Sequence, residues 1–238
     1  MSFSQYFPTS PENQSDIICF GAGPALLPTD VLEDAAKALI NYDGAGLGIA
    51  EHAHRSQIAV NIINEAKANL AAYLDIPDDY EILFMQGGGS GGSGRSQAAF
   101  WNNSLYNTLR LFDVYIAGQV PKTLLLQYPD KIEGQQAVSE KAQIIYRAVD
   151  AHPEIYSIIP DKTVRSRMNI FFRMKSGDAA EEAFLKEGNA LGRIGLRGHR
   201  SLRGICASND NAVPFEGAQK LASIIEAFAS RSRTSAGE

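Results

Sequence analysis

Two tripeptides of identical composition, His54-Arg55-Ser56 and His199-Arg200-Ser201, are the residues whose type and spacing most directly suggest chemistry. The arginine guanidinium is a planar fork of N–H donors that matches phosphate or carboxylate oxygens in pairs. Each tripeptide follows a Gly-containing stretch. The first stands where a helix is expected to begin, and unpaired backbone N–H groups there favour negative charge. Two such sets brought together would hold a doubly charged phosphate monoester. Two unrelated surface loops with solvated arginines would leave the same pattern.

A second candidate is the run Gln86 to Gly94, almost wholly Gly and Ser, which follows an apolar stretch from Glu81 to Met85. Its composition is that of a flexible linker. A strand running into glycines is also how a phosphate loop is built, because missing side chains let backbone N–H groups approach an anion. Asn107 and Thr108 lie in a polar stretch before a helical pattern, and could donate to an anion or simply cap the helix. Asp75, Asp78 and Asp79 cluster around Pro77 and read as a solvated turn. Cys206 lies in an apolar strand with nothing beside it in sequence to lower its pKa, so it reads as a small packing residue.

The elements that must position these residues are legible from periodicity. Asp30 and Glu33 have capping-box spacing, and Val31, Leu32, Ala35, Leu39 and Ile40 follow at helical period, predicting a helix from Asp30 to Tyr42. A second helix is expected from Ser56, with Ile58, Ile62, Ala66, Leu70 and Leu74 on one face, ending before Pro77. Glu81 to Met85 reads as a short buried strand. Leu105 to Tyr128 is helical in pattern, with Pro121 expected to kink or split it. Helices are predicted at Gln135 to Ala151, Ala179 to Leu191 and Pro214 to Ala229. Strands are predicted at Ser157 to Ile159, Met168 to Met174 and Leu202 to Ala207. This order points to a small α/β sandwich with helices on one face of a sheet. Residues 1 to 16 and 230 to 238 read as loose polar tails.

Composition narrows the function. The chain has 238 residues, 45% hydrophobic and 21% charged, which is enough to bury a sizeable core. A net charge of -5 argues against long-range attraction to nucleic acid or to an anionic membrane, so any anion site must be local. No apolar run approaches the roughly 18 residues of a membrane helix. The two cysteines, Cys19 and Cys206, lack metal-ligand spacing and suit a reducing compartment, with the cytoplasm as the expected location.

Taken in order, the motifs resemble those of the phosphoserine aminotransferases. Cys19-Phe20-Gly21-Ala22-Gly23-Pro24-Ala25-Leu26-Leu27-Pro28 is similar to that family's opening, and His54-Arg55-Ser56, Ile76-Pro77-Asp78 and Leu83 through Gly89 continue it. The second half carries Ser104-Leu105-Tyr106-Asn107-Thr108, Arg165 through Asn169, Gly198-His199-Arg200-Ser201 and Ala207-Ser208-Asn209. The resemblance implies a class-V, fold-type I, pyridoxal-phosphate-dependent transaminase of serine biosynthesis. Such enzymes exchange an amino group between glutamate and 3-phosphohydroxypyruvate. It also implies a homodimer, or a heterodimer with a full-length homologue. By the same resemblance Gly88, Gly89, Asn107 and Thr108 would hold the phosphate of pyridoxal 5'-phosphate, and His54, Arg55, His199 and Arg200 the substrate phosphate. No nucleic acid, membrane or metal is expected as a partner.

The likeness breaks in the middle. In the family a long central stretch separates the glycine loop from the Asn-Thr motif and carries the lysine that binds the cofactor covalently. Here the two motifs are joined by a short Gly/Ser-containing segment, and the resemblance supplies no catalytic residue. Cys206 also stands where the family has an arginine for the substrate carboxylate. The expected fold class is therefore α/β, a small C-terminal α/β sandwich domain with an N-terminal remnant of the large domain. The expected spans are a tail over 1–16, the remnant over 17–90, a junction over 91–103, the C-terminal domain over 104–229 and a tail over 230–238. The expected function is that of a catalytically defective relative. The alternatives are a regulatory partner of a full-length aminotransferase, a binder of phosphorylated metabolites, or a working enzyme that recruits Cys206 or another lysine.

Overall fold

A computed structural model describes residues 17–84, 110–199 and 203–236. The chain divides into two compact units, one of residues 17–26 with 132–238 and one of residues 27–131.

The second of these is helical. Helix α1 spans Thr29–Ile40, starting after Pro28 rather than at an Asp30/Glu33 capping box. Asp30 instead accepts the Val31 N–H at 2.9 Å within the first turn. Helix α2 spans Gln57–Leu74, and Ser56 caps it by accepting the Ala59 N–H at 3.2 Å. Helix α3 spans Leu111–Gln127 and packs along α2. Gly118 makes this approach possible, since a Cβ there would lie 2.7 Å from the Ala66 Cβ. Pro121 is buried within α3 and does not split it. Ala35, Ala38, Ile49, Ala59, Ile62, Leu111 and Tyr115 form the core of this unit. The strand expected at 81–85 is not formed over Glu81 to Phe84, which have no regular structure. A parallel-sheet strand is stable only when neighbouring strands accept its backbone hydrogen bonds, and among the described residues none pairs with it.

The other unit is the α/β body. Helix α4 spans Lys131–Asp150, α5 Asp178–Ala190 and α6 Phe215–Ala236. Strands β2 (Tyr156–Ser157), β3 (Asn169–Met174) and β5 (Ile205–Ser208) form an antiparallel sheet in the order β2-β3-β5. Strands β1 (Ile18–Cys19) and β4 (Arg193–Ile194) pair in parallel, a pairing that periodicity did not predict. The Ser208 N–H donates to the Phe20 carbonyl at 2.9 Å and ties β1 to β5.

Alternation along β3 buries Ile170, Phe172 and Met174. Those side chains meet Ile145 and Val149 of α4, Phe184 of α5 and Leu221 and Ile225 of α6. Tyr156, Phe172 and Phe184 contact one another edge to face at 5.6 to 6.5 Å, and Phe184 continues the series to Phe228. The Tyr156 hydroxyl donates to the Ile225 carbonyl at 2.7 Å, so its polar end is satisfied inside the core.

The tail expected from Ser230 is instead helical to Ala236. Arg231 pairs with Glu187, and the Arg233 Nε donates to Glu154 at 2.6 Å. These side-chain anchors extend α6 beyond the last core residue.

Candidate functional site

Each repeated tripeptide lies in a different compact unit. His54 and Arg55 occupy the turn between the Ile49–Glu51 turn of 3-10 helix and α2, with His54 half-buried and Arg55 exposed at the helix start. The approach to this turn is fixed by local bonds. Tyr42 N–H donates to the Leu47 carbonyl at 2.8 Å, and Gly48 N–H to the Glu51 carboxylate at 2.7 Å. Gly48 is required here, since a Cβ would sit 2.0 Å from the Leu39 carbonyl oxygen. Ser56 spends its hydroxyl on the helix cap, leaving the His54 and Arg55 side chains as the chemical part of the motif.

His199 lies on a hairpin of the α/β body. Arg197 bridges Ile205, Gly198 N–H donates to the Gly204 carbonyl at 2.9 Å, and Arg203 N–H donates to the His199 carbonyl at 2.7 Å. His199 itself is exposed. Arg200, Gly88, Gly89, Asn107 and Thr108 lie outside the described residues.

Two polar features of the α/β body were not legible as functional candidates. Lys141 of α4 is 2% exposed, and its ammonium donates to the carbonyls of Val213 at 2.7 Å, Asp210 at 2.9 Å and Asn211 at 3.5 Å. Burial pushes its pKa down to about 8, with the nearby Asp210 carboxylate acting in the opposite direction. Burial pushes the Asp210 carboxyl up, and Lys141 pulls it down. Asn209 is fully buried and donates to the Val138 and Arg167 carbonyls at 3.2 and 3.0 Å.

The other feature is Glu181 of α5, 4% exposed, which binds Arg173, Met174 N–H and Gly204 N–H. The sequence does hold a signal for it. Glu181, Phe184, Leu185 and Gly188 share one buried helical face, where a carboxylate must find donors.

Cys206 sits at the middle of β5, opposite Phe171, with burial pushing its thiol up. It is a neutral group at pH 7 and offers no charge to a carboxylate. Among the described residues no group of three or more His, Cys, Asp or Glu side chains is gathered as a metal site requires. None of the described helices is long and apolar enough to cross a membrane.

Comparison with known proteins agrees with this architecture. The family model "Aminotransferase class-V" matches residues 17–107. The phosphoserine aminotransferase of Saccharomyces cerevisiae is 24% identical over 386 aligned residues, spanning 89% of this chain and 97% of that protein. The phosphoserine aminotransferase of Idiomarina loihiensis is 47% identical over 77 residues, 32% of this chain and 21% of the relative. Among solved structures, the phosphoserine aminotransferase from Bacillus circulans subsp. alkalophilus superposes with a TM-score of 0.81 at 25% identity, covering 90% of this chain and 98% of that one.

Over residues 17–107 the chain is similar to the class-V aminotransferases. The relatives and the solved structure that it resembles over most of its length are phosphoserine aminotransferases. The match is not continuous: 386 aligned positions against a chain of 238 residues leave at least 148 positions of the S. cerevisiae relative without a counterpart here.

Pyridoxal phosphate, which this family implies, requires an amine that can form a covalent bond to it. The lysines are enclosed, paired with carboxylates or placed on the surface. Lys141 is enclosed, with three carbonyls taking its protons. Lys37, Lys67, Lys122, Lys131 and Lys220 pair with Asp34, Glu81, Glu65, Asp75 and Glu216. Lys162 lies 3.9 Å from the Asp150 carboxylate, and Lys175 and Lys186 stand on the surface of the α/β body.

Proposed function

We propose that this chain is a phosphoserine aminotransferase-like protein that retains phosphate-binding residues but does not transaminate by itself. The observation that carries this reading is that at least 148 positions of a relative matched nearly end to end have no counterpart in this chain. The family's covalent lysine would fall in that gap, and the disposition of the described lysines supports its not being replaced. His54, Arg55, His199 and Arg200 would bind a phosphorylated small molecule in the cytosol. Gly88, Gly89, Asn107 and Thr108 would contact the cofactor phosphate if pyridoxal phosphate binds.

No chemical step follows from these residues alone. Arginine and histidine can hold and orient a phosphate monoester, but they supply no covalent anchor for the amino group in transit. The test is direct. Purified chain incubated with pyridoxal phosphate, glutamate and 3-phosphohydroxypyruvate is expected to form no phosphoserine, while a phosphate titration followed by NMR is expected to shift the His54 and His199 imidazole signals. Turnover by the chain alone would overturn the reading.

A second reading, a partner for a full-length aminotransferase, is favoured by one observation. Leu32, Ala36, Leu39 and Ile40 form an exposed apolar stripe along α1, with Ile40 79% exposed. Co-purification with a full-length homologue, and rise or fall of that enzyme's activity on mixing, decides it.

A further inference from the structure

The segment that joins β5 to α6 crosses over a buried amine. Lys141 of α4 is 2% exposed, and its ammonium donates to three carbonyls of this segment, those of Val213 at 2.7 Å, Asp210 at 2.9 Å and Asn211 at 3.5 Å. The two ends of the segment are anchored without the lysine. At one end Asn209 is fully buried, with its N–H donated to the Met168 carbonyl at 2.6 Å and its side-chain amide to the Val138 and Arg167 carbonyls. At the other end Val213 is buried in the core.

Between these anchors Asp210 and Ala212 are half-buried and Asn211 is exposed. The Val213 N–H donates to the Asp210 carbonyl at 3.0 Å and closes the segment into a turn. Among the described residues, the hydrogen bonds that tie the middle of this strap to another element are those from Lys141. Asp210 Oδ2 and, at the hinge, Asn209 Oδ1 are buried and meet no donor among the described residues. Acceptors buried without a donor favour a state in which water reaches them.

We propose that residues 210–212 form a proton-linked strap, whose lifting from Lys141 is favoured when that residue binds a proton and opposed when it loses one. Enclosure under the strap pushes the Lys141 pKa down to about 8, while the Asp210 carboxylate opposes the shift. The other charged groups on the flanking elements are Glu140 on α4, Arg167 on the segment that Asn209 binds, and Glu216 and Lys220 of α6, which pair at 2.9 Å. Cys206 is the titratable group of β5, with burial pushing its thiol up. With the strap lifted, the amine returns to water and to its ordinary value of 10.5. The open form therefore holds more proton between those two values. Lowering the pH through that window favours opening, raising it favours closure, and below about pH 8 the balance no longer changes.

The test reads the open population of the strap in the full chain by methyl relaxation dispersion at Ala212 and Val213, with Leu221 and Ile225 of the core as references. From pH 7.5 to 9.5 that population is expected to fall about twenty-fold. Lys141→Met is expected to abolish the pH dependence. Asp210→Asn removes the carboxylate that helps Lys141 keep its proton, so the response is expected to extend to lower pH than in wild type.

An open population that does not change with pH overturns the proposal. So does a change that survives Lys141→Met or, should that variant fail to fold, one whose pH range Asp210→Asn leaves in place. An equal response at Leu221 and Ile225 also overturns it, because the lysine would then report unfolding of the whole body and not the lifting of a strap.

Discussion

Lys141 shows how a single residue can carry opposing free-energy terms. Enclosure penalises its positive charge, while three carbonyls consume its three protons. In the folded chain it gives up its proton near pH 8, against an ordinary value of 10.5. Between those two values the unfolded chain binds more protons, so this residue makes stability rise with pH through the window and contributes no slope below it. Cys206 acts oppositely, since its raised thiol pKa makes the folded chain hold its proton longer. Comparing wild type with Lys141→Met isolates the lysine. From pH 7.5 to 9.5 the stability difference between the two is expected to move in favour of wild type by about 1–2 kcal/mol, read by urea unfolding at each pH. A constant difference would show that the ammonium is better compensated than its enclosure suggests.

At the scale of elements, the close approach of α2 and α3 depends on a small residue at their contact. Gly118 opposes Ala66, and the Asn69 side chain donates to the Gly118 carbonyl at 3.2 Å. Gly118→Val is expected to cost about 1–3 kcal/mol and to lower the Tm of the helical unit. Ala66→Gly in the same background should return part of the loss, because the clash is with that side chain. The N-cap of α2 offers a second check. Ser56→Ala removes the bond to Ala59 N–H and is expected to cost about 1 kcal/mol by thermal unfolding, whether or not the neighbouring Arg55 binds an anion.

At the scale of the molecule, the α1 stripe of Leu32, Ala36, Leu39 and Ile40 is apolar surface with the spacing of a buried helical face. The chain is expected to self-associate or to bind a full-length relative through it. Leu39→Lys with Ile40→Lys should abolish that association in sedimentation velocity without altering the helical content seen by circular dichroism. Association that survives both substitutions would assign the interface elsewhere.

Features that depend on neighbours a few residues away could be read from the sequence. Helical period located α2, α4, α5 and α6 to within a few residues at most starts, and Ser56 was legible as the start of α2 because a cap bonds to an N–H three positions on. Order and spacing of motifs carried the resemblance to the phosphoserine aminotransferases. Features that depend on distant partners emerged with the folded chain. The pairing of Ile18 with Arg193 and the three carbonyls around Lys141 join residues far apart in sequence, as does the clasp of Gly204 by Glu181. The unformed strand at Glu81 to Phe84 and the helix that continues past Ser230 have the same origin. A strand exists only where another strand accepts its hydrogen bonds, and a polar helix end persists only where anchors such as Glu187 and Glu154 lie within reach.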